Sequence, residues 1–152
     1  MTRQQKYLDT STFHYYNANP KNKMGGDCVI RAICTALNQS WEQTVRELTE
    51  VGIKCGYVLN DKHTYEKYLE QKGWVKHSQP KKEDGTKYTG KEWCEKLWWI
   101  GEHNKMIANI GGHHIVAIVE DNEYDGNGIS RFRVYDTWDS TDKCIGNYWT
   151  KA

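Results

Sequence analysis

No apolar run in this sequence approaches the roughly 18 residues that a membrane-spanning helix needs. Residues 1–6 are polar where a secretory signal would carry its apolar stretch. A cytoplasmic setting without a membrane partner is therefore expected. There is no C-x-x-C pair, and the five cysteines are an odd number, so the expectation is free thiols rather than a disulfide framework. A dominant charge is missing too. The 21 basic and 20 acidic residues nearly cancel, which leaves no whole-domain field to gather nucleic acid. Phosphate-binding and dinucleotide-binding glycine signatures, internal repeats and low-complexity tracts are also lacking, and no cofactor is expected. Phe occurs only twice, but seven Trp and ten Tyr stand in for it. Such side chains pair an apolar body with a polar tip, which suits the mean hydropathy of −0.88. At 152 residues the chain is long enough for one domain, 1–152, that buries roughly 68–70% of its extended surface without a metal or disulfide staple.

Residues 1–27 are polar and carry Pro20 and the pair Gly25-Gly26, so they read as an irregular lead-in. In 28–37, Val29, Ile30, Ile33, Ala36 and Leu37 recur at helical spacing behind Asp27, a fitting N-cap. Ser40 opens a second helix with Trp41, Val45 and Leu48 on one face, and Gly52 is the expected stop. Tyr65, Tyr68 and Leu69 mark a third helix ending at Gly73, with a brief strand over 74–78. Thr89-Gly90-Lys91-Glu92 has the capping-box form ahead of a helix with Trp93, Leu97 and Trp98. Strand-like runs follow at 106–110, 115–119, 131–135 and 144–149. Helices first and antiparallel strands second is the α+β pattern. The Lys-rich segment 72–91 reads either as a solvated loop or as a basic flap that favours an acidic partner.

Cys28 is the first residue of a helix behind a Gly-Gly turn. There the unpaired backbone N–H groups and the positive end of the helix dipole stabilise a thiolate. Cys34, Cys55, Cys94 and Cys144 lack that setting and read as small core residues. Gly111-Gly112-His113-His114 runs directly into a strand. By alternation His114 shares a face with Val116 and Ile118 and is the better base, with His113 as its exposed neighbour. The turn signals Asp125-Gly126 and Asn127-Gly128 close a hairpin. An axis through residue 125 sets Asp136 directly across from His114; an axis one residue later makes it a diagonal neighbour. Phe132, Val134, Asp136 and Trp138 share a face, so a carboxylate interrupts an apolar stripe and wants a buried partner, unless it caps a turn at the rim. An acid beside an imidazole beside a thiol is the arrangement of a Cys-His-acid triad. No metal is expected, because adjacent His113 and His114 diverge on a strand and ligand-spaced Cys/His pairs are missing. The pair Trp98-Trp99 reads as core plus rim, or as a platform for a sugar or base.

This order resembles the papain-like cysteine peptidase superfamily: Cys at a helix start, His at a strand mouth, then an acid or amide on the next strand. Asp27-Cys28 is similar to the Asp-Cys pair of bacteriocin-processing transporter peptidases. Asp136-Thr137-Trp138 resembles the papain Asn-Ser-Trp signature with a carboxylate in place of the amide. Tyr16-Asn17-Ala18-Asn19-Pro20, taken with Gly26-Asp27-Cys28-Val29-Ile30-Arg31-Ala32, looks like small proteins of phages and mobile elements of Gram-positive bacteria. These likenesses cover residues 16–37 and 111–139. They imply a papain-like fold, a helical half packed on a C-terminal antiparallel sheet. Cys28, His114 and Asp136 would be catalytic, and Asp27, His113 and Trp138 would lie in or near the cleft. The implied partner is a protein or peptide substrate, cleaved at a peptide or isopeptide bond. An amidase or acyltransferase, or a weakly active or inactive binding module, is the alternative. The family places a Gln six residues before the nucleophile as an oxyanion donor. Asn22 stands there, with Asn19 and Asn17 as other amides in reach.

Overall fold

The computed structural model describes residues 1–100 and 103–152, except for the side chains of 98–100. A short 3-10 turn (Gln5–Tyr7) and strand β1 (Phe13–Tyr15) lead into helices α1 (Cys28–Leu37), α2 (Trp41–Cys55) and α3 (Lys62–Gln71). Strand β2 (Trp74–His77) and helix α4 (Gly90–Ile100) follow. The chain closes with strands β3 (Lys105–Ile110), β4 (His114–Asp121), β5 (Arg131–Asp136) and β6 (Ile145–Lys151). The six strands form one open sheet in the order β1-β5-β4-β3-β6-β2, antiparallel except where β1 runs beside β5. The fold is α+β, with the N-terminal helices packed on a mostly antiparallel sheet.

Both faces of the sheet are covered, which explains why β4 reads as an unbroken apolar run rather than an alternating one. Ile115, Ala117 and Val119 join Val29, Ile30, Ile33, Leu48, Tyr68 and Leu69 beneath α1, α2 and α3. Val116 and Ile118 join Trp93 and Leu97 of α4, with Phe13, Phe132 and Val134, on the other side. Each fully buried aliphatic side chain stabilises by about 1.5–3 kcal/mol, and α1 is buried almost all round. Its one charged residue, Arg31, is buried with the rest.

Local rules place most of the boundaries. The Ser40 hydroxyl accepts from Gln43 N–H at 3.0 Å, and the Thr89–Glu92 capping box closes in both directions, at 3.0 and 3.2 Å. Three expectations need correction. Residues 1–27 are not wholly irregular, since β1 contributes an edge strand; at three residues it is too short to leave a period-two signature. The sheet is consequently not purely C-terminal, because β1 and β2 complete its two edges. And α2 does not stop at Gly52. It runs to Cys55 and ends at Gly56, while Gly52 lies where the outgoing chain folds back on the helix. A Cβ at Gly52 would collide with the Tyr57 carbonyl oxygen. In the Lys-rich segment, Lys72, Lys76 and Lys82 pair with Glu47, Glu66 and Glu92, which ties the segment to α2, α3 and α4. The Trp98-Trp99 platform falls on side chains outside the described residues.

Candidate active site

Strand β4 begins at His114 and its antiparallel neighbour β5 ends at Asp136, so both residues lie at the same end of the sheet. The ladder pairs Ala117 with Tyr135 and Val119 with Arg133. Continued, that register sets Asp136 opposite Val116 and diagonal to His114. It is the later of the two hairpin axes, and the diagonal is short enough for the side chains to meet. Gly111 and Gly112 both adopt positive φ (65° and 93°) in the turn before His114, a backbone course that side chains with a Cβ resist.

The first turn of α1 reaches this end of the sheet. The Cys28 sulfur lies beside the His114 ring and the Ile115 N–H, both of which favour its thiolate. The same ring bonds the acid, with His114 Nε2 2.5 Å from Asp136 Oδ2. The structure thus brings Cys28, His114 and Asp136 together, with Cys28 half-buried and Asp136 only 2% exposed. Trp138 covers the imidazole, with ring centroids 5.0 Å apart. His113 is exposed and stands apart from the sulfur, in a neighbouring groove of about 420 Å³ shared with Val29, Tyr65, Asn109 and Ile115.

The electrostatics follow from these contacts. Burial works against a Cys28 thiolate. The His114 bond, the Ile115 amide and the positive charges of His114 and Arg31 outweigh it, and the thiol lies below its ordinary pKa. Burial also opposes His114 protonation, yet Asp136 and Cys28 together raise its pKa to about 9. A thiol moved down beside an imidazole moved up favours a thiolate–imidazolium pair. Cys34, two turns along the same helix, behaves oppositely, and its burial pushes it up to about 11. Burial also pushes Cys94 up. The core assignment fits Cys34 and Cys94 but not Cys55 and Cys144, which are exposed at the end of α2 and just before β6.

Asp27 occupies the N-cap position but makes no capping bond. Its Oδ1 accepts from Arg31 Nε at 2.9 Å, and its Oδ2 accepts from Asn19 Nδ2 at 3.1 Å and Trp41 Nε1 at 3.0 Å. The Asn19 amide is therefore engaged in supporting Asp27 rather than aimed at a bound carbonyl. Asn22 is exposed, and Asn17 donates to the Lys23 carbonyl at 3.0 Å. The backbone amides at the start of α1 are left as donors beside the sulfur. Arg31 is the residue that sequence reasoning missed. Its Nη1 donates to Asp136 Oδ1 at 2.6 Å, linking helix to sheet. The signal was present as an arginine inside the apolar run Val29-Ile30-Arg31-Ala32-Ile33, four residues after an aspartate.

Among the described residues no three His, Cys, Asp or Glu side chains converge as a metal site, and no helix is long and apolar enough to cross a membrane. Comparison with protein-family models, with curated proteins and with solved structures found no match in any of the three.

Proposed function

We propose that this protein is a papain-like thiol hydrolase that cleaves a peptide or isopeptide bond through a thioester intermediate. The observation that carries this reading is the convergence of Cys28, His114 and Asp136 from three separate elements, with the sulfur beside the ring and the ring bonded to the acid. In the first half-reaction the Cys28 thiolate attacks the carbonyl carbon, and the backbone N–H groups at the start of α1 hold the oxyanion. The His114 imidazolium gives its proton to the leaving amine, and the C–N bond breaks to leave a thioester. In the second, His114 takes a proton from water as the hydroxide adds to the thioester carbonyl. The carboxylic product leaves, and the thiolate–imidazolium pair is restored. Asp136 holds the ring with one nitrogen toward the sulfur and stabilises the imidazolium. Amide and acyl-transfer chemistry would run through the same steps with a different leaving group or acceptor.

Iodoacetamide labelling across pH, read by mass spectrometry, tests the reading. Cys28 is expected to react well below the ordinary thiol pKa of about 8.5, ahead of the exposed Cys55 and Cys144 despite their better access. His114→Ala should move that reactivity up toward the ordinary thiol range. Labelling of Cys28 no faster than Cys55, or a profile that ignores His114→Ala, would remove the triad. A second reading, a binding module with a weakened centre, is favoured by one observation: Asn19 is engaged by Asp27. Losing one oxyanion donor costs on the order of 10²–10³ in rate. That reading expects a reactive Cys28 that forms no thioester, trappable with hydroxylamine, on a mixed peptide pool.

A further inference from the structure

We propose that Arg31 is a positioning residue of this centre, acting on His114 through Asp136 and tying the sheet-borne acid to the helix that carries the nucleophile. The inference rests on the triad reading and adds a member to it. The guanidinium side chain is only 10% exposed and bridges two buried carboxylates, Asp27 just ahead of its own helix and Asp136 on β5. Asp27 is itself held by Asn19 and Trp41, so Arg31 is braced from behind. On Asp136, Oδ1 receives both Arg31 Nη1 and the Thr137 N–H (2.7 Å), which leaves Oδ2 to face His114. With one oxygen pinned twice, the carboxylate cannot rotate away from the ring.

The arrangement is also a chain of alternating charge: thiolate, imidazolium, carboxylate, guanidinium, carboxylate. The ionisable groups of this centre are His114 from β4, Asp136 from β5, Arg31 from α1, Asp27 just before α1, and the Tyr65 phenol from α3. Removing the cation from this set leaves two buried carboxylates beside a developing thiolate, which disfavours that thiolate. A lysine restores the charge but not the fork that reaches both acids.

The experiment is the pH profile of Cys28 alkylation in Arg31→Gln, Arg31→Lys and the double variant Asp27→Asn/Arg31→Gln, with His114→Ala in parallel. Cys34 and Cys94 serve as reporters of intact packing. In Arg31→Gln the acid limb for Cys28 should rise by about one pH unit while Cys34 and Cys94 stay protected, and Arg31→Lys should recover part of that rise. The double variant removes a positive and a negative charge together. It keeps the test open if the single variant does not fold, and it should still show the raised limb. An unchanged Cys28 profile in a variant with protected Cys34 overturns the proposal. So does labelling of Cys34 and Cys94 as fast as Cys55 in every variant, since Arg31 would then serve folding alone. If His114→Ala moves the profile and the Arg31 variants do not, only this inference falls. If His114→Ala also leaves it unchanged, the triad reading falls first.

Discussion

The two oxygens of Asp136 have different partners: one faces an imidazole, the other a guanidinium and a backbone amide. Asp136→Asn keeps the shape and removes the charge that raises His114. By NMR, the His114 titration midpoint should fall from about 9 toward its ordinary 6.5. The stability consequence has a definite sign. A histidine whose folded pKa lies above its unfolded value contributes stability that is complete below about 6.5 and is lost as pH rises through about 9. The difference in denaturation midpoint between the parent protein and Asp136→Asn should therefore be larger at pH 6 than at pH 9.5. This carboxylate was legible in the sequence because it broke an apolar stripe and because hairpin turn signals bounded its register. Arg31 carried the same kind of signal, a charge inside a buried run. Its partner lies 105 residues away, however, and neither periodicity nor turn chemistry reaches that far.

At the scale of elements, helix starts were the most legible features, since capping rules act over three or four residues. Ser40 and Thr89 stand where capping chemistry sets them, whereas Asp27 precedes Cys28 without a capping bond and pairs with Arg31 instead. The end of α2 was misread because two glycines, at 52 and 56, compete for the stop, and only the tertiary fold-back distinguishes them. Gly56 takes the left-handed turn (φ 82°), and Gly52 makes room for the chain that follows it. Gly52→Ala should consequently destabilise, although alanine is the better helix former. The expected loss is about 1–3 kcal/mol, read as a fall of several degrees in Tm by calorimetry. An unchanged Tm would mean the Tyr57 loop yields freely. Strand β1 was illegible for a different reason. Its three residues are held by β5 and by side-chain bonds, not by a pattern of their own.

Across the whole molecule, the N-terminal segment is fastened to the sheet by Arg133. That side chain is 2% exposed, and it donates to Asp9 at 2.8 Å, to Asp121 at 3.2 and 3.3 Å, and to the carbonyls of Thr10 and Phe13. Tyr135 adds a bond to Asp121 at 2.6 Å. The fastening bears on the site because the Tyr16 N–H bonds the Asp136 carbonyl at 2.8 Å, next to the acid's own side chain. Arg133→Met leaves two carboxylates without their cation. It should make residues 1–15 the first point of cleavage in limited proteolysis and slow the labelling of Cys28. Cleavage that starts elsewhere would show that this segment holds without the arginine.

Because the sulfur comes from the first helix and the imidazole and carboxylate beside it from the last third of the chain, a growing polypeptide presents the Cys28 thiol long before those two groups exist. Synthesis runs from the N-terminus, so until residues 114–136 have emerged and paired, Cys28 lacks both the imidazole and the sheet that it packs beside. Under the triad proposed above, the full set of groups around the thiol exists only once the β-ribbon is complete, so the sequence separation of the two halves orders its assembly after most of the chain has been made.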